Sequence, residues 1–132
     1  MTKSLKQDYI DYRIASAKET LNAAHSLARD KHWNSVINRL YYVCFYAISA
    51  LLFKNEINAH SHSGLKHQFS LHFIKTSKLD KKFGKLLTEL YDWRQKGDYD
   101  NIFDYDSESV KPLFESVLDM INQINTEIKR SI

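Results

Sequence analysis

Glycine and proline are nearly missing from this sequence, with three of the first and one of the second in 132 residues. A β sandwich or barrel needs many tight turns, and those turns need residues that tolerate positive φ or pre-set a bend. An all-β fold is therefore excluded. Cysteine occurs once, as Cys44, inside an apolar run. It can form neither an internal disulfide nor a Cys-rich zinc site, and it suits a reducing cytoplasm. No uninterrupted apolar stretch reaches the ~18 residues of a membrane span. The N-terminus, Met1 to Lys6, lacks the apolar core of a signal peptide. A cytoplasmic protein with no membrane partner is expected. Repeats, low-complexity tracts and linkers rich in Pro, Gly or Ser are also absent, so residues 1–132 form one predicted domain.

What is present is enough for a packed core. The composition is 43% hydrophobic and 13% aromatic, well clear of disordered chains. Net charge is +3, unevenly spread: residues 1–82 hold 13 Lys and Arg against 6 Asp and Glu, while residues 83–132 hold 6 against 10. Lys75, Lys78, Lys81, Lys82 and Lys85 make a basic cluster, and Asp98, Asp100, Asp104, Asp106 and Glu108 an acidic one. Either could steer a partner of opposite charge, or simply form a solvated face.

Apolar residues recur at helical spacing in about five segments, and no strand-like alternation competes with them. The first carries Ile10, Ile14, Ala17, Leu21, Ala24 and Ala28 on one stripe. The second, from about Lys31 to Lys54 with Asp30 as its predicted cap, is apolar almost all round, which places it at the centre of a bundle. Ser63 is the predicted cap of a shorter helix with Leu65, Phe69 and Phe73 inward. Asp80 should cap a fourth helix bearing Phe83, Leu86, Leu87 and Leu90, with Gly97 ending it. The fifth carries Val110, Phe114, Val117, Ile121, Ile124 and Ile128, and Pro112 predicts a start near Ser109. The fold class is all-α, an antiparallel bundle of four to five helices joined by short loops.

Arg94 breaks this pattern. It follows Leu90 by four and Leu87 by seven, so it extends the inward face of the fourth helix. A guanidinium there keeps its charge and needs a partner: an acidic side chain, the last carbonyls of its own helix, or an anionic ligand. Gln95, Asp98 and Tyr99 lie just beyond it, and an arginine beside an acid and a phenol suits phosphate binding with orientation of a ribose or base. Ser35, Arg39, Tyr42, Tyr46 and Ser49 form a polar stripe along the second helix. Arg39 and Tyr42 either join Arg94 in one pocket or dimer face, or satisfy themselves on neighbouring backbone.

No metal or cofactor is expected. His67 and His72 are five apart rather than the helical four, and no cysteine lies near the histidines. The Asp104-x-Asp106-x-Glu108 run lacks a calcium loop's turn glycine, and no Glu-x-x-His pair, phosphate-binding glycine loop or recognisable Ser or Cys nucleophile occurs.

Asn38-Arg39-Leu40-Tyr41-Tyr42-Val43-Cys44-Phe45-Tyr46-Ala47, then Ser61-His62-Ser63-Gly64, then Arg94-Gln95-Lys96-Gly97-Asp98-Tyr99, fall in an order that resembles the HEPN family (higher eukaryotes and prokaryotes nucleotide-binding domain). The likeness is to its small stand-alone prokaryotic branch and covers roughly residues 9 to 128. It implies a four- or five-helix bundle, usually a homodimer, often an RNA-cleaving toxin paired with a minimal nucleotidyltransferase antitoxin. It also implies a site made of an arginine, a polar neighbour and a histidine four to six residues on. Arg94 and Gln95 match the first two, and Tyr99 stands where the histidine is expected. A tyrosine, with a pKa of about 10, is a weaker base near neutrality than histidine. The resemblance thus implies a nucleotide- or RNA-binding module holding its ligand with Arg94, Gln95, Asp98, Tyr99, Arg39 and Tyr42. The alternatives are a metal-independent ribonuclease with Arg94 and Tyr99 as catalytic residues across a dimer, and a non-catalytic dimeric adaptor.

Overall fold

A computed structural model describes residues 3–99 and 104–130. The described residues form five α-helices and no strand: α1 (Lys3–Arg29), α2 (Trp33–Lys54), α3 (His62–Phe69), α4 (Lys81–Tyr99) and α5 (Ser107–Arg130). α3 runs straight into a π-helical turn, Ser70–Ile74. The all-α bundle inferred from periodicity is the observed fold.

α2 is the hub, and α1, α3, α4 and α5 all pack on it. Val36, Ile37, Leu40, Val43, Cys44, Ala47, Ile48, Ala50 and Leu51 are each fully buried along it, as its all-round apolar sequence requires. By length and composition alone α2 could cross a membrane, although Asn38 and Arg39 interrupt its apolar run. Here its apolar surface is the core of the bundle. Burial also pushes the Cys44 thiol up to about 12, which keeps it protonated and unreactive.

Side-chain pairings fix the directions. Lys6 at the start of α1 meets Glu56 just past α2, 3.4 Å apart, and Tyr9 packs on Phe53. Asn38 and Tyr42 of α2 bond Asp98 and Arg94 of α4 in reverse order. Lys82 at the start of α4 pairs with Asp119 far along α5, while Trp93 near its end stacks on Tyr105 just before α5. Neighbours therefore run antiparallel.

The helix ends differ from the sequence expectations in four places. Asp30 does not cap α2. The chain leaves α1 through Lys31 in the left-handed region, φ 62°, and His32 becomes the N-cap without a side-chain bond. Ser61, not Ser63, caps α3 by accepting from the Gly64 amide at 2.9 Å, which makes His62 the first helical residue. Gly97 does not end α4, because its φ is not positive and the helix continues to Tyr99. It serves instead for close approach: a Cβ there would lie 3.4 Å from the Tyr105 ring and 3.5 Å from Asn34. α5 starts two residues early because the Asp106 carboxylate accepts from the Ser109 amide at 2.9 Å. That leaves exposed Pro112 in the second turn rather than the first. The Asp80 cap of α4 is as expected, with its carboxylate accepting from the Lys82 amide at 2.9 Å. On α5 Leu113 is buried where Phe114 was expected; Phe114 is half-buried, stacked on His25.

Because the Ser61 hydroxyl fixes the start of α3, Ser61→Ala should lower stability by about 1 kcal/mol, while Ser61→Asp should preserve it. Urea unfolding of the three proteins checks this. Equal midpoints for wild type and Ser61→Ala would mean that the cap contributes nothing.

Candidate functional site

Arg94 sits on the inward face of α4, 8% exposed. Its guanidinium carbon lies 5.1 Å from the ring centre of Tyr41, 5.4 Å from Tyr42 and 5.8 Å from Tyr91. Tyr41 and Tyr42 come from α2, and Tyr91 lies one turn back on α4. Each desolvated cation–ring contact contributes up to about 2 kcal/mol. The rings attract the charge without neutralising it.

The polar partners fall short of that. Nη1 donates to the Tyr42 hydroxyl at 3.1 Å. The Asp98 carboxylate, one turn on, is 4.0 Å from Nη1, beyond a direct hydrogen bond. Its Oδ2 instead accepts from the Asn38 amide at 2.9 Å. The Arg94 Nε–H is buried with no acceptor among the described residues. An unmet buried donor costs on the order of 1–3 kcal/mol, more on a charged group.

The other sequence-derived residues take distinct places. Tyr42 touches Arg94 directly. Arg39 is exposed and joins at one remove: its Nη1 donates to Asn38 Oδ1 at 2.7 Å, and Asn38 holds Asp98. Gln95 donates to the Tyr91 hydroxyl at 2.9 Å and so fixes one ring of the cage. Tyr99 closes α4 and is 73% exposed. Five residues rotate a helix by about 140° past a full turn, so Tyr99 leaves α4 on a flank away from Arg94. Among the described residues no hydrogen bond joins the two. Asp100 and Asn101 lie outside the described residues.

Four members of the cluster were assigned no role from sequence: Asn38, Tyr41, Tyr91 and His62. His62 is the most consequential. Its Nδ1 lies 2.7 Å from the Tyr41 hydroxyl, and its ring packs against Tyr42, Phe45 and Tyr91, 5.1 to 6.3 Å between centres. Burial, and secondly the Arg94 charge, hold its pKa below the ordinary histidine value. Burial drives the Tyr41 hydroxyl far above the phenol range, with Arg94 opposing only in part. At neutral pH the pair is a neutral imidazole on a neutral phenol. The signal was present in Ser61-His62-Ser63-Gly64, but spacing in sequence cannot show which helix α3 will lean on.

The sign of the His62 shift sets an acid sensitivity. A histidine whose folded pKa is depressed binds its proton more readily when unfolded. Its contribution is present above the unfolded value, about 6.5, and is lost as pH falls through the folded one. Replacing His62 by Gln should therefore flatten the decline of Tm between about pH 7 and pH 5. An unchanged decline would show that His62 does not set it.

Among the described residues no three His, Cys, Asp or Glu gather as metal ligands would. What the cluster defines is a helical bundle carrying an arginine in a tyrosine cage, with a histidine against the same rings and a carboxylate held just out of reach. The chain belongs to the HEPN family, whose domain model matches residues 10–127. Its relatives include a UPF0332 protein of Thermotoga maritima, 33% identical over 129 residues, covering 96% of this chain and 98% of that one. Two proteins of Methanocaldococcus jannaschii that bear provisional toxin names are also similar. One is 35% identical over 100 residues, 76% of this chain and 68% of the relative. The other is 29% identical over 130 residues, 97% and 96% respectively. A HEPN domain protein is thus the class to which the chain belongs.

Proposed function

We propose that this chain is the toxin-like half of a pair with a minimal nucleotidyltransferase, and that its Arg94 cage receives a phosphate of RNA or of a nucleotide. The observation that carries the reading is the under-neutralised guanidinium. Arg94 is buried, and among the described residues its Nε–H has no acceptor and its nearest carboxylate stands 4.0 Å off. A phosphate oxygen would satisfy both the charge and the donor, since charge-assisted bonds from a planar fork to phosphate are among the stronger polar contacts. Asp98, near the exit of α4, would orient the remainder of the ligand, with Arg39 supporting through Asn38. A separate cavity of about 660 Å³ between α3 and α4 is lined by Lys66, Lys81, Lys85 and Lys96 against Glu89 and Asp92, a net basic surface for the rest of a polyanion. The exposed Tyr99 would meet a second copy of the chain or the transferase.

Labelled total RNA, incubated with purified wild type and Arg94→Lys in excess EDTA and scored for retention and cleavage together, tests the reading. Wild type should retain RNA. Arg94→Lys, which keeps the charge but loses the fork, should bind on the order of 10-fold less. Equal retention by both would remove Arg94 from the site.

A second reading, a metal-independent ribonuclease, is favoured by one observation. His62 brings to the Arg94 cage the imidazole that the sequence after Arg94 lacks.

A further inference from the structure

His62 faces two ways. On one side it packs on the tyrosines that enclose Arg94. On the other it lines a cavity of about 380 Å³ together with Tyr9, Arg13, Phe45, His60 and Ser61, within the size range of small-ligand sites. Arg13 is fixed there by the Tyr9 hydroxyl, to which its Nε donates at 3.0 Å, and its guanidinium carbon lies 5.3 Å from the Tyr9 ring and 5.5 Å from Tyr46. Tyr46 in turn lies 6.1 Å from Tyr42, the residue that bonds Arg94. Two guanidiniums thus stand at the ends of one row of rings, with the imidazole beside it. Tyr42 and Tyr46 are one turn apart on α2, about 6 Å along its axis. A flexible strand can set phosphates near Arg94 and Arg13 and lay a base on the rings between, as single-stranded RNA does on aromatic side chains.

We propose that His62 is the proton-transfer group of this site, acting on the ribose 2′-hydroxyl of an RNA strand laid across the Arg94 cage and the adjoining cavity. The inference rests on the reading that Arg94 binds an RNA phosphate. Nδ1 is occupied by the Tyr41 hydroxyl, so Nε2 is the atom left to exchange a proton with substrate. A hydroxyl rotates to donate or accept, so Tyr41 supports either imidazole tautomer. In the forward step the 2′-oxygen bonds to phosphorus and the bond from phosphorus to the 5′-oxygen breaks. The 2′-hydroxyl proton passes to Nε2. The imidazolium then returns a proton to the departing 5′-oxygen, leaving a 2′,3′-cyclic phosphate and a 5′-hydroxyl. Arg94 offsets the charge gathering on the phosphate oxygens.

The groups facing His62 are Tyr41, Tyr42 and Phe45 from α2, Tyr91 and Arg94 from α4, and Arg13 and His60 across the cavity. No carboxylate is among these named neighbours, and burial, then the Arg94 charge, favours the neutral ring. The base form is therefore in place at neutral pH.

The test incubates labelled total RNA in excess EDTA with wild type, His62→Gln, His67→Gln and Arg94→Lys, reading cleavage, end groups and retention across pH. Wild type should release cyclic-phosphate ends, at a rate that falls as pH drops through a value below about 6.5. His62→Gln should retain RNA as wild type does while losing cleavage by about 100-fold or more, and His67→Gln should match wild type. Cleavage by His62→Gln at the wild-type rate overturns the proposal. RNA retained by wild type but left intact at high protein excess also overturns it, and leaves the Arg94 reading standing. RNA neither retained nor cleaved overturns both.

Discussion

Arg94→Met is expected to leave the domain folded, with a thermal midpoint equal to or above that of the wild type, and to abolish RNA retention. The two halves of that result have one cause. A guanidinium 8% exposed, with an orphaned Nε–H and no carboxylate in bonding range among the described residues, pays a desolvation cost that its surroundings only partly return. Methionine keeps much of the stem that fills the space between Tyr41, Tyr42 and Tyr91, and it makes favourable contacts with rings. Replacing a buried charge by an apolar group of similar volume is often neutral or stabilising, by roughly 1–4 kcal/mol. The Tyr42 hydroxyl, half-buried, can turn to water. A residue kept for the fold would behave in the opposite way. Should Arg94→Met unfold, or lose several kcal/mol, Arg94 is a structural element and the ligand reading fails.

Leu90→Ala gives the second large effect, and it is expected on stability alone. Leu90 is fully buried one turn before Arg94, where α4 seats against α2. Removing its branched end leaves a hole that packed helices fill incompletely, at a cost of about 3 kcal/mol within a usual range of about 2–5. For a chain of this length that corresponds to a fall in Tm of roughly 10 °C. Leu118→Ala, at a position 48% exposed on α5, should change stability by about 0.5 kcal/mol or less. Calorimetry on both variants checks the contrast, and similar midpoints would contradict the packing described. Below its own transition Leu90→Ala should still retain RNA, which separates loss of fold from loss of site.

The fold was legible because periodicity is a local property. Val36 through Leu52 are apolar almost all round, and only a central helix can bury such a surface, so the position of α2 followed directly. The helix ends were less legible because caps depend on tertiary register. Ser61 and Ser63 are equally good capping residues, and the choice decides whether His62 lies before α3 or within its first turn. Gly97 reads as a terminator, yet it is the close pass of Asn34 and Tyr105 that uses its missing Cβ. At the site, Arg94 and Tyr42 were found because each interrupts a helical pattern. His62 interrupts none. It matters through its contacts with Tyr41 and Tyr91, 21 and 29 positions away in the chain, and those distances are set by how α3 leans on α2 and α4. Tyr99 shows the converse: five residues from Arg94 in sequence, it leaves the helix on another flank.

The central claim is that the unmet Nε–H of Arg94 is a ligand donor, and the most direct measurement observes that proton. In a ¹H–¹⁵N spectrum of the five arginine Nε–H groups, the signal missing from Arg94→Met identifies Arg94. Adding a single-stranded RNA oligonucleotide should move that signal downfield, as a phosphate oxygen takes up the donor. An oligonucleotide that binds the protein while the Arg94 signal stays where it was would contradict the account.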